Sequence, residues 1–163
     1  MTVNFELVTG YLALIAYAAT LLPSNLVVVF SSWKKTYWGR ILLKNRRKFG
    51  LVCFLFSTIH ALLIIQTRDI NMLSLTTYIE YFTGFSSILI FSMLAVTSNN
   101  WSIRKLGKNW KKLHSLTYLA LIMLMLHLLI AKQGEWDWYT WLGFLTLSLM
   151  TCLWLLRILL KSR

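Results

Sequence analysis

All three histidines of this chain, His60, His114 and His127, fall inside or at the edge of long apolar stretches. An imidazole surrounded by hydrocarbon is costly, so each is a functional candidate by default. His114 and His127 share the stretch WKKLHSLTYLALIMLMLHLLIA at 110–131, which opens as a basic, aromatic collar and then turns apolar. His60 lies in a segment of the same design, where NRRK at 45–48 is followed by FGLVCFLFSTIHALLII. His60 stands 14 residues beyond Arg46, and His127 stands 13 beyond His114. At 1.5 Å per helical residue, each offset is roughly 20 Å. With the two collars level, His60 and His127 match in depth to about one residue. Two imidazoles at one depth on neighbouring parallel helices could hold a metal, or the two faces of one heme iron. Iron held by two imidazoles has no open position, which suits electron transfer better than oxygen binding. The plainer reading is that each ring only hydrogen-bonds a carbonyl or hydroxyl of a neighbouring helix.

The remaining polar candidates are weaker. His114 borders a cationic collar, where a ligand and a solvated imidazole are equally reasonable. On a straight helix 13 residues leave it about 140° from the face of His127, so sharing a face requires a bend. Arg46 stays within about 40° of the His60 face. Its guanidinium has no lone pair to give iron. Arg46 is therefore expected to pair a heme propionate, helped by Arg47 or Lys112, or else to anchor to lipid phosphate. Glu80 is a proton or quinone-site group, or an interfacial carboxylate. Met123 and Met125 read as packing or lipid-facing surface. Cys53 and Cys152 each lie in an apolar run without a partner motif and are expected to be buried free thiols.

The elements that must position these groups are membrane spans. The 163 residues are 58% hydrophobic and only 13% charged, against about 25% charged in soluble domains. The pattern predicts an all-α polytopic bundle of about five spans: 7–30 with Pro23 inside it, 49–66, 78–96, 113–131 and 139–160. Basic loops are expected at 31–48 and 97–112. No repeat, low-complexity tract or soluble domain is apparent, so the chain reads as one domain over 1–163. Six tryptophans, Trp33, Trp38, Trp101, Trp110, Trp136 and Trp138, read as an interfacial belt. The first residues carry Glu6 and no cation, unlike the basic start of a secretory signal, so the first span is expected to be retained.

Charge distribution gives an orientation. Seven Lys or Arg fall in 33–48, five in 104–112 and three at the C-terminal end (Arg157, Lys161, Arg163). With five spans these lie on one side, and only Arg68 and Lys132 on the other. All five acids, Glu6, Asp69, Glu80, Glu135 and Asp137, fall on or near the cation-poor side. The positive-inside rule then places the N-terminus outside and the C-terminus in the cytoplasm. It also explains the formal charge of +12 as membrane anchoring at lipid headgroups, which excludes nucleic acid as a partner.

Two segments carry a family resemblance: RRKFGLVCFLFSTIHAL at 46–62 and TSNNWSIRKLGKNWKKLHSLTYLALIMLMLHLL at 97–129. Together they resemble the ferric-reductase-like transmembrane family, nearest to the heme-binding membrane subunits of bacterial methionine sulfoxide reductase systems (the MsrQ/YedZ type). TGYLALIAYAATLLP at 9–23 is similar to an early span of that family. The resemblance implies a b-type heme protein, with a heme core at about 44–131, ligands at His60 and His127 and a role for His114. Arg46 falls where the wider family has a fourth histidine, so one heme or two are expected, the second without its usual ligand. The resembled subunit usually has six spans where this sequence shows about five. No Gly-rich dinucleotide fingerprint follows a strand pattern, so electrons are expected from a quinol or a separate reductase. They would pass to a partner protein or small acceptor, making the chain an oxidoreductase subunit in a bacterial inner membrane or equivalent energy-transducing membrane. The rival expectation is a non-catalytic subunit organising a larger respiratory or photosynthetic complex.

Overall fold

The computed structural model describes residues 5–67, 74–132 and 136–161. Of the charges used above for orientation, Arg68, Asp69, Glu135 and Arg163 lie outside the described residues. Helices α1 (Phe5–Val29), α2 (Tyr37–Thr67), α3 (Leu75–Val96), α4 (Asn100–Leu106), α5 (Lys108–His114), α6 (Thr117–Lys132) and α7 (Trp138–Lys161) follow in order, with a 3-10 turn at Ser31–Lys35. Among the described residues, five spans are long and apolar enough to cross a membrane: α1, α2, α3, the α5–α6 pair over Lys108–Ala131, and α7.

Several boundaries differ from the sequence expectation, for local reasons. The basic stretch from Tyr37 to Lys48 is no loop; it is the first third of α2. It contains no proline, and its cations are mostly exposed, so the helix continues without burying charge. The 97–112 stretch likewise folds into α4 and most of α5. Asn99 caps α4 by accepting from the Ser102 N–H at 2.7 Å. Gly107, at φ +51, turns the chain between α4 and α5 where a side chain would be strained. A tight turn separates α5 from α6 between His114 and His127: Leu116 N–H bonds to Leu113 O, and Tyr118 N–H to Ser115 O, each three residues back. Ser74 caps α3 through Thr77 N–H, and Asp137 caps α7 through Thr140 N–H and Oγ1.

Each span packs on two others to close a ring: α1 on α2 and α7, α7 on α6, α6 on α3, and α3 on α2. Its centre is an apolar plug of Ala16, Tyr17, Leu21, Cys53, Ile90, Phe91, Ala120, Leu121, Leu147 and Met150. The rings of Tyr17 and Phe91 meet at 5.4 Å, joining α1 to α3. The Tyr17 hydroxyl donates to Thr117 O at 2.6 Å, joining α1 to α6. Large side chains such as Leu55, Ile65, Phe85 and Leu145 are exposed on the outside of the ring, as lipid contact requires. Cys53 is a buried free thiol as expected, but Cys152 is exposed on that outer surface.

Candidate functional site

At the end of the bundle bearing Glu6 and Glu80, two histidines are held in the same way. His60, half-buried on α2, bonds through Nδ1 to the backbone carbonyl of Glu6 on α1 at 2.8 Å. His127, half-buried on α6, bonds through Nδ1 to the backbone carbonyl of Glu80 on α3 at 3.0 Å. A carbonyl oxygen can only accept, so each Nδ1 carries a proton, and in the neutral ring Nε2 then carries the lone pair. That tautomer can bind a metal through Nε2, and the carbonyl bond fixes ring orientation and raises the ring's basicity.

Both rings lie against a glycine one turn beyond the accepting carbonyl. A Cβ on Gly10 would stand 3.1 Å from His60 Cε1 and 3.2 Å from its Nδ1. On Gly84 the corresponding distances to His127 are also 3.1 and 3.2 Å. Glycine is needed there for close approach. The two accepting carbonyls also share a depth. α1 and α3 run the same way, and Tyr17 and Phe91, each 11 residues beyond its glutamate, touch at the centre. The arrangement is a local repeat, Glu6-x-x-Thr9-Gly10 and Glu80-x-x-Thr83-Gly84, each opposite one histidine. No repeat was apparent from the sequence, because five residues on unlike apolar backgrounds fall below any visible period. Among the described residues no three His, Cys, Asp or Glu side chains cluster as a metal site. Two imidazoles of this tautomer would suit a heme, which needs few protein ligands.

The third histidine is held differently. His114 ends α5, half-buried, with Nε2 3.2 Å from Thr97 Oγ1. The Thr97 hydroxyl also lies 2.7 Å from Met93 O, so it ties the imidazole to the end of α3. The ring stacks on Trp110 at 3.9 Å, and Trp110 Nε1 donates to Thr97 O at 3.0 Å. His114 is thus engaged at Nε2 by a side chain, where His60 and His127 are engaged at Nδ1 by the backbone. Trp110, expected in the lipid belt, is half-buried in this contact. Arg46 is exposed at the same end. Arg47 donates to Asn100 Oδ1 at 3.3 Å.

A second polar group at this basic end was missed from sequence. Asn25, fully buried on α1, accepts at Oδ1 from Tyr118 Oη at 3.0 Å and Arg157 at 3.1 Å. Arg157 also donates to Tyr118 Oη at 2.5 Å, and Tyr118 stacks on Trp154 at 5.0 Å. The Asn25 Nδ2 is buried with no hydrogen-bond partner among the described residues. Asn25 two residues after the only proline was the available signal: a polar amide inside a span needs partners.

The family described as ferric reductase like transmembrane component matches residues 9–125, a stretch that includes His60 and His114 and stops just short of His127. Similar curated proteins are the protein-methionine-sulfoxide reductase heme-binding subunits MsrQ of Brucella ovis, Brucella anthropi and Brucella melitensis biotype 2. Each is 36% identical over 101 residues, which is 59% of this chain and 46% of the relative. The chain therefore spans about half the length of the curated relatives it matches.

Proposed function

The chain belongs to the ferric reductase like transmembrane component family, and from that premise we propose that it is a heme-binding, electron-transferring membrane subunit. Its apolar helices and its family make it a multi-pass integral membrane protein. The observation that carries the heme reading is the pair of Nδ1–carbonyl bonds, Glu6 to His60 and Glu80 to His127. His60 and His127 would hold one b-type heme. When bound, the heme supplies one-electron chemistry between ferric and ferrous iron. The chain's own residues hold the two imidazoles in one tautomer, admit them through Gly10 and Gly84, and keep the centre dry with Tyr17, Phe91 and Leu121. MsrQ relatives are named as heme-binding subunits of a protein-methionine-sulfoxide reductase, so the proposed acceptor is a redox partner protein of that kind.

The orientation that fits the charge distribution puts Glu6 and Glu80 outside and the basic ends of α2, α5 and α7 in the cytoplasm. Electrons would enter from the basic end, from a quinol or a separate reductase. There the buried Asn25 Nδ2 and the Arg157 guanidinium are donors suited to an acceptor oxygen such as a quinone carbonyl. His114 is assigned to structure rather than to a second heme, because its Nε2 already meets the Thr97 hydroxyl and its ring stacks on Trp110.

Heme stoichiometry and a reduced-minus-oxidised spectrum of the purified chain test this reading. One low-spin b-type heme per chain is expected. A chain that folds in membranes without heme would instead be a non-catalytic subunit organising a larger complex. Two hemes per chain would overturn the assignment of His114.

A further inference from the structure

We propose that the repeated Glu-x-x-Thr-Gly segment is a ligand-setting motif, in which the glycine admits the imidazole and the threonine hydroxyl moderates the carbonyl that orients it. This rests on the heme reading above. The single proton of the Thr9 hydroxyl is shared between Phe5 O at 2.8 Å and Glu6 O at 3.0 Å. That of Thr83 is shared between Ile79 O at 2.9 Å and Glu80 O at 2.9 Å. The glutamate carbonyl is therefore shared. It accepts the histidine Nδ1–H and the threonine hydroxyl, and in a regular helix it also faces the N–H four residues on, that of Gly10 or Gly84. A carbonyl has two lone pairs, so three donors divide its capacity. The hydroxyl weakens the bond to the imidazole, and so restrains the electron density that the ring passes to a metal through Nε2. Thr9, Gly10, Thr83 and Gly84 are positioning residues: they act on the iron only through His60 and His127. Two copies of one arrangement, on different helices and opposite different histidines, distinguish this from an incidental back-bonded threonine of the kind common in membrane helices.

The measurement is redox potentiometry with heme quantification on the full chain, for wild type, Thr83→Val, Thr83→Ser, Gly84→Ala and Gly50→Ala. Valine keeps the shape and removes the competing donor. The Glu80 carbonyl then gives more to His127, the ligand becomes more basic, ferric iron is favoured and the midpoint potential falls. Serine restores the hydroxyl and returns the potential to the wild-type value. Gly84→Ala presses on the His127 ring and weakens heme retention by about tenfold, the lower end of the cost of disturbing a metal-ligand support. Gly50→Ala is the control: its Cβ would meet only Thr20 Cγ2 at 3.8 Å, an ordinary contact, and heme content is unchanged. A fall with valine and recovery with serine supports the motif even if Gly84→Ala fails to assemble. An unchanged or raised potential in Thr83→Val overturns it, as does full heme retention in a folded Gly84→Ala. The heme reading fails separately, by a wild-type chain without heme or by His60→Ala and His127→Ala variants that keep the spectrum.

Discussion

The two ends of the bundle hold their histidines by opposite atoms. At the acidic end His60 and His127 spend Nδ1–H on helix carbonyls and lie against glycines. At the basic end His114 meets a threonine hydroxyl through Nε2 and lies flat on Trp110. The difference teaches that an intramembrane histidine is classified by its partner. A carbonyl at Nδ1 suits Nε2 to a metal, whereas a hydroxyl at Nε2 engages the atom a metal would need. Depth alone set His114 apart from the other two but could not show which atom of each ring is engaged.

Substitution by methionine should separate the ends most strongly. His127→Met should keep a six-coordinate heme and raise its midpoint potential, because His/Met ligation favours ferrous iron. His114→Met should leave the potential where it was; a comparable shift there would place His114 on iron. At the basic end, Arg157→Ala removes a charge-assisted donor from buried Asn25 Oδ1 and from Tyr118, at a cost of about 2 kcal/mol. Thermal unfolding in detergent should show that loss while the heme spectrum persists. Trp110→Leu removes the stack under His114 and the bond to Thr97 O, for about 1–2 kcal/mol. The same assay checks it, and an altered heme band would contradict the structural role. The smallest effect belongs to the boundary between the ends. Tyr17→Phe deletes the hydroxyl bonded to Thr117 O, worth about 1 kcal/mol, and should not change heme content.

Much of this was legible in the sequence. The five apolar runs gave the spans, and the collar-to-histidine offsets of 14 and 13 residues marked His60 and His127. What the offsets could not carry was the partner of each ring, since Glu6 O and Thr97 Oγ1 come from helices distant in sequence. Helical continuity through Tyr37–Lys48 was hidden by its charge, which reads as a loop although a helix can project cations into water as readily as a loop can. The Asn25–Tyr118–Arg157 group was invisible for another reason: its members come from three helices, and only packing brings them together. The Glu-x-x-Thr-Gly pair was present in the letters, but it acquires meaning only once the opposite histidine is known.

The central claim, one iron between His60 and His127 with His114 apart from it, is tested most directly by low-temperature electron paramagnetic resonance with heme quantification. Wild type and the His60→Ala, His127→Ala and His114→Ala variants are compared in one preparation series. The expected result is a single low-spin bis-imidazole signal at one heme per chain, abolished by either of the first two changes and retained in the third. A signal that survives His60→Ala or His127→Ala, or one that is lost in a folded His114→Ala, would contradict it.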